Sequence, residues 1–264
     1  MLTPAPFRVA VLSTARAPGL SSLLADPDRG RVFEVVGCLA SDPAWKDHAA
    51  AATASVPVAV HDLAAFCARR GTPRRDLAAR AVYDAQAAEL LRPWRPELIV
   101  LCGYLNIVTA PLLERYPGRI VNLHDADLSL TAPDGRPRYR GLHATRDAVA
   151  AGEPETRSTV HLVTEELDVG PLVLRTAAFP VHPLVADARR WGATDIVRAY
   201  AYAQREWMLR AAWGPLLRET VRLFAAGAVR TLGGRAVIGG VLGPLEPPVG
   251  DRAAPPLAGA ATGA

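Results

Sequence analysis

Pro96–His124 reads PELIVLCGYLNIVTAPLLERYPGRIVNLH, and this stretch decides the fold. Glu97–Cys102 (ELIVLC) is a continuous apolar run, the pattern of a strand covered on both faces of a parallel sheet. A helix starts at Pro111–Arg115 and stops at Pro117-Gly118. Arg119–Leu123 (RIVNL) is the next strand. Strand, helix, strand within thirty residues predicts a βαβ unit with a crossover helix.

The flanks repeat the pattern. Upstream, strands are expected at Phe7–Ser13, Val32–Ala40 and Val56–Val60, with helical stretches near Ser21–Leu24 and over Lys46–Ser55. Asp76–Leu91 predicts an amphipathic helix with Ala78, Val82, Ala85 and Leu90 on its apolar face. Downstream come a polar, turn-rich loop after His124, a helix over His143–Ala151, strands at Ser158–Val163 and Pro171–Ala177, and a long helix over Thr194–Ala226. Gly214-Pro215 should kink that last helix. The alternation predicts an α/β fold, a doubly wound, mostly parallel sheet flanked by helices. A Gly/Pro/Ala-rich tail is expected over 239–264, with its last dozen residues disordered.

The chain has 264 residues, half of them hydrophobic and 21% charged, within the range of one large globular domain or two small ones. No apolar run of about 18 residues offers a membrane span. The N-terminus reads as a first strand rather than a signal peptide. Cys38, Cys67 and Cys102 are widely spaced and fit neither a zinc pattern nor a disulfide framework. No His/Cys/carboxylate cluster has ligand spacing, so no metal is expected. These features point to the cytoplasm. The net charge is +4 and almost all the cations are arginine, Lys46 being the only lysine. A basic balance suits an anionic small molecule, and equally reflects a simple compositional bias. The arginines are scattered and aromatics few, so no nucleic-acid surface is expected.

Three residues carry chemistry. Asn122 and His124 fall at the end of a predicted strand, where ligands of open α/β sheets bind. Asp168 lies in the turn Leu167-Asp168-Val169-Gly170-Pro171. An amide can donate to an oxyanion, an imidazole can carry a proton, and an acid beside an imidazole favours its charged form and fixes its orientation. Acyl transfer to an amine needs this set. Each residue also has a plain structural reading, as a turn amide, a hydrogen-bonded imidazole or a turn cap.

The context of these residues resembles the 10-formyltetrahydrofolate-dependent formyltransferase family. It is most similar to the branch that acts on phosphoribosylglycinamide (GAR) in purine synthesis. The matching pieces are the apolar strand ending in Gly103, the Asn-x-His strand end, Gly-Leu-His at 141–143, Ser-Thr-Val-His at 158–161 and Glu-Leu-Asp-x-Gly-Pro at 166–171. With gaps, the resemblance runs from Phe7 to Val229, and a formyltransferase domain over 1–238 is expected from it.

The resemblance implies that Asn122, His124 and Asp168 are catalytic. It implies a folate cleft formed by Tyr104, Leu105, Asn106, Ile107, Val108, Glu165, Glu166 and Leu167. It implies acceptor contacts from Ser13, Thr14, Arg16, Gly19, His161 and Gly141. The partners it implies are 10-formyltetrahydrofolate as cosubstrate and a phosphorylated small-molecule amine, with neither nucleic acid nor membrane, in a monomer or homodimer.

Three departures from the family pattern stand out. Leu105-Asn106 replaces a usual Met-Arg. The loop Ser13–Ser22 lacks the usual Gly-Asn-Gly-Ser-Asn phosphate cradle. Asp125-Ala126-Asp127 replaces a usual Pro-Ser-Leu, followed by an Arg-bearing extension over 131–140. A different acceptor amine, hydrolysis of the donor, or a non-catalytic folate-binding protein are the alternatives. A nicotinamide-dependent dehydrogenase is disfavoured, because no Gly-x-Gly-x-x-Gly follows the first strand.

Overall fold

The computed structural model describes residues 5–247. Its elements are β1 (Phe7–Ser13), α1 (Leu20–Leu24), β2 (Phe33–Ala40), α2 (His48–Thr53), β3 (Val58–Val60), α3 (Leu63–Arg70), α4 (Leu77–Leu91), β4 (Leu98–Leu101), α5 (Ala110–Arg115) and β5 (Ile120–His124). They continue with α6 (Ala144–Ala151), β6 (Glu155–Thr156), β7 (Thr159–Leu162), β8 (Leu172–Arg175), β9 (Phe179–Pro180), α7 (Leu184–Arg190), α8 (Thr194–Ala225), β10 (Val229–Leu232), β11 (Arg235–Ile238) and β12 (Val241–Leu242).

Seven strands form the central sheet in the order β3-β2-β1-β4-β5-β7-β8. The first five run parallel; β7 is antiparallel to β5, and β8 to β7. The doubly wound, mostly parallel sheet is therefore as expected. The order reverses between β1 and β4, and clefts open at such a switch point beyond the strands' carboxyl ends. Both faces of the sheet are buried. One packs against α1 and α8 through residues such as Leu20, Leu209 and Trp213, the other against α4 and α5 through Ala87, Leu91 and Leu112. Among the described residues, no helix is long and apolar enough to cross a membrane.

Helix α4 corrects one expectation. Its buried face is Ala79, Arg80, Tyr83, Asp84, Ala87, Ala88 and Leu91, while Ala78, Val82, Ala85 and Leu90 face solvent. The reason is a hidden ion pair. Arg80 and Asp84 lie 3.6 Å apart, and Asp84 Oδ2 accepts both the backbone N–H and the hydroxyl of Thr109 at 2.6 Å. Two charged residues paired inside the protein shift the apparent apolar stripe.

Helices α3 and α7 and the β10–β11 hairpin lie where no element was expected. Two of them carried signals. Asp62 caps α3 by accepting from the Ala65 N–H at 3.0 Å, and Gly71 ends it at positive φ. Gly233-Gly234, both at positive φ, close the hairpin between Leu232 and Arg235. Helix α8 runs through Gly214-Pro215 as one 32-residue element. Pairing also extends past residue 239: β12 joins β11, and Leu245 bridges to Leu174. The last dozen residues, expected to be disordered, lie outside the described residues.

Candidate active site

Strand register builds the site. Asn122 and His124 are two residues apart on β5, so their side chains share one face of the sheet. The antiparallel pairing of β5 with β7 sets His161 directly opposite Asn122. Asn122 Nδ2 lies 3.1 Å from His161 Nε2. The turn after β7 then brings Asp168 to both imidazoles, 3.7 Å from His124 Nδ1 and 3.5 Å from His161 Nε2. That turn needs its sequence. Asp168 has φ 56°, and a Cβ on Gly170 would sit 1.7 Å from the Leu162 carbonyl oxygen. Only glycine lets the turn pack this tightly on β7.

The distal nitrogen of each imidazole meets a backbone carbonyl. His124 Nε2 lies 3.0 Å from the Tyr139 oxygen, and His161 Nδ1 3.0 Å from the Leu162 oxygen. A carbonyl only accepts, so these nitrogens carry the hydrogens and the other ring nitrogens face Asp168. Asp168 is buried, which by itself would raise its pKa. The His161 hydrogen bond, the nearby His124 and the Gly141 N–H at 2.7 Å outweigh burial and lower it to about 2. One carboxylate, ionised at neutral pH, therefore anchors two imidazoles.

All four side chains line one cleft of about 450 Å³. Tyr104, Leu105, Asn106, Ile107, Val108, Glu165, Glu166, Leu167 and Gly141 line it too, so every residue expected at the folate cleft arrives there. Their roles divide. Leu105, Ile107 and Leu167 are exposed apolar side chains at the mouth. Tyr104 is buried, its hydroxyl without a protein partner. Asn106 turns its amide onto Ser41 Oγ at 2.8 Å and so ties the loop after β4 to the one after β2.

The Formyl transferase family description matches residues 7–188. The chain belongs to the formyl transferase family. It is 32% identical over 186 residues to the trifunctional purine biosynthetic protein adenosine-3 of Drosophila melanogaster, an alignment covering 69% of this chain and 12% of that protein. The chain thus spans only a small part of these trifunctional relatives. It is 34% identical over 169 residues to the phosphoribosylglycinamide formyltransferase of Mycobacterium tuberculosis strain H37Rv, covering 64% of this chain and 69% of that protein. In structure it is similar to glycinamide ribonucleotide transformylase 1 from Symbiobacterium toebii, with TM-score 0.65 and 28% identity over 88% of this chain and 94% of that one.

In this formyl transferase the expected acceptor residues do not all gather at the cleft around Asn122 and Asp168. His161 and Gly141 do. Arg16 and Gly19 instead line a second cleft of about 410 Å³, with Ser21, Ser22, Asp47, Glu206, Arg210 and Gly214. Ser13 and Thr14 line neither. The Ser13 hydroxyl donates to the Arg16 carbonyl at 2.6 Å, and Thr14 Oγ1 receives the Leu105 N–H at 3.0 Å.

The second cleft's donors are also engaged. The Ala17 N–H donates to Asp47 Oδ2 at 2.7 Å, and the Arg16 guanidinium pairs with Glu206. That hydrogen bond, chiefly, lowers the Glu206 pKa despite partial burial. Gly19 is at φ 90°, and a Cβ there would press on the Gly214 nitrogen at 2.9 Å, so the loop lies directly on α8.

Sequence reasoning missed three contributions to the catalytic cleft. The first is Arg205 of α8, which pairs with Asp125. The second is Arg80 of α4, whose Nε and Nη1 are buried without partners. The third is the 131–140 extension, which supplies the Tyr139 carbonyl to His124 and joins Glu166 through Arg136 at 2.9 Å and Arg140 at 3.5 Å. No periodicity signals Arg205 or Arg80; only packing reveals them.

Proposed function

We propose that this formyl transferase moves the formyl group of 10-formyltetrahydrofolate onto the primary amine of phosphoribosylglycinamide, a step of purine synthesis, in the cytoplasm. The observation that carries this reading is the convergence of Asn122, His124 and Asp168 on one cleft at the carboxyl edge of the sheet. The names of the relatives support the acceptor. The apolar rim of Leu105, Ile107 and Leu167 suits a flat pterin and its aromatic linker. A catalytic domain over 1–238 fits this reading.

The acceptor nitrogen attacks the formyl carbon, the bond from that carbon to N10 breaks, and one proton passes from the amine to N10. Negative charge collects on the formyl oxygen meanwhile. The Asn122 amide has an N–H for that oxygen. His124, with both nitrogens turned to protein groups, acts on the oxygen through its positive charge when protonated, and Asp168 supports that charge. A single oxyanion donor is worth about 10²–10³ in rate. Purified protein given phosphoribosylglycinamide and 10-formyltetrahydrofolate should release tetrahydrofolate species, followed by absorbance. Asn122→Ala should lose about a hundredfold or more in kcat. Donor binding by the wild type with no turnover of phosphoribosylglycinamide counts against the reading.

A second reading, formyl transfer to a different amine, is favoured by one observation. The loop expected to grip phosphate already satisfies donors with Asp47 and Glu206, and their charge opposes a phosphate. A panel of amines with the same donor separates the two.

A further inference from the structure

We propose that Asp125 anchors the protonated amino group of the acceptor before transfer, the ammonium giving one proton to solvent before its nitrogen attacks, and that Arg205 holds the Asp125 carboxylate in position. The proposal rests on the formyl-transfer reading and deepens it by naming how the acceptor is recognised.

Asp125 is the residue immediately after His124 and lines the catalytic cleft with its side chain only 9% exposed. A carboxylate this buried is costly unless it is paired. Its Oδ2 takes the Nε of Arg205 from α8, and its backbone oxygen takes the Thr145 hydroxyl at 2.6 Å. Among the described residues, Oδ1 receives no donor. An acid with one oxygen committed and one open, next in sequence to His124 and lining the same cleft, is a receptor for an ammonium group.

Arg205 is itself shared. Its Nη1 lies 3.6 Å from Glu206, and Glu206 pairs with Arg16 of the β1–α1 loop. The four side chains form a ladder of alternating charge, Asp125–Arg205–Glu206–Arg16, from the catalytic cleft to the second cleft. One guanidinium between two acids leaves the Asp125 end negative. The far end is positive, at Arg16 and neighbouring Arg210. An acceptor with an ammonium at one end and an anionic group at the other matches that polarity.

The alternative is a purely structural ion pair, and Asp125→Asn separates the two. The substitution keeps size and an acceptor for Arg205 while removing the charge. Thermal melts confirm that the variant is folded. At saturating 10-formyltetrahydrofolate, the KM for phosphoribosylglycinamide should rise about tenfold or more, with the donor KM unchanged within about twofold. Direct titration with two small probes gives a readout free of turnover. Glycinamide, a cation, should bind Asp125→Asn more weakly than wild type. Glycolamide, its neutral hydroxyl counterpart, should bind both equally. Arg205→Gln should raise the acceptor KM, with partial rescue by Arg205→Lys. An unchanged acceptor KM and glycinamide affinity in Asp125→Asn overturns the proposal, as does a parallel rise of donor and acceptor KM. If the wild type fails to turn over phosphoribosylglycinamide, the functional reading fails, while the glycinamide and glycolamide titrations still decide the role of Asp125.

Discussion

The two clefts at the carboxyl edge of the sheet are built by different means. The candidate active cleft is assembled by strands: Asn122 and His124 by the alternation of β5, His161 by its register with β7, and Asp168 by the tight turn that follows. The second cleft is assembled by a loop whose partners lie far away in the chain. Arg16 meets Glu206 across 190 positions, and Ala17 meets Asp47 across 30. The strand-built cleft gathers every residue expected at the folate site. The loop-built cleft keeps Arg16 and Gly19, loses Ser13 and Thr14 to internal bonds, and gains acids that were not anticipated. Backbone ladders fix the spacing of side chains, whereas loops settle wherever distant charges and caps hold them.

The largest effect should break the strand-built side. Asp168→Asn keeps a residue that tolerates positive φ and removes the charge shared by two imidazoles. Activity should fall about a hundredfold or more in kcat, with donor affinity little changed. The same variant reports on acid stability. Asp168 has a folded pKa of about 2, below its ordinary 3.8. Its stabilising contribution is therefore complete above about pH 4 and disappears as pH falls toward 2. Denaturant midpoints of the wild type should drop through that window, and those of Asp168→Asn should drop less. Equal acid sensitivity would show that the carboxylate is not held as described.

The next effect tests the seam between the two clefts. Gly103 ends the run after β4 at φ 68°, and a Cβ there would lie 2.3 Å from the Arg16 carbonyl oxygen. Gly103→Ala should cost about 1–3 kcal/mol of stability from the forced conformation and the clash. The melting temperature measures it, and an unchanged value would mean that the loops can part without cost.

The smallest effect sharpens the loop-built side. Asp47→Asn keeps a hydrogen-bond acceptor for the Ala17 N–H and removes one negative charge from the second cleft. If a phosphorylated acceptor reaches that cleft, its KM should fall several-fold, and the gain should shrink in high salt. A KM insensitive to both changes would place the acceptor's anionic group elsewhere.

Several features were legible because their signals are local. Continuous apolar runs gave β1, β2 and β4, and Pro117-Gly118 gave the end of α5. Asp76 marks the start of α4 and accepts the Ala79 N–H at 3.0 Å. The face of α4 was not legible, because Arg80 and Asp84 pair inside the protein and leave apolar Val82 and Leu90 outside. Helix α3 was overlooked for its length, and the β10–β11 hairpin despite its Gly-Gly turn. Within the site, Asn122, His124 and Asp168 could be named from the family resemblance, since strand-end and turn contexts alone left each a plain structural reading. Arg205 could not, since nothing in a long amphipathic helix marks which arginine turns toward a buried acid.

The linear chain alone determined a doubly wound sheet and the strand ends where chemistry would collect. Those depend on periodicity, turns and residue type, which act over a few positions. The tertiary structure alone decided which charges meet: one carboxylate between two histidines, a guanidinium between two acids, and a phosphate-type loop already holding carboxylates. Electrostatic pairing acts through space between groups far apart in the chain, and no local pattern encodes it.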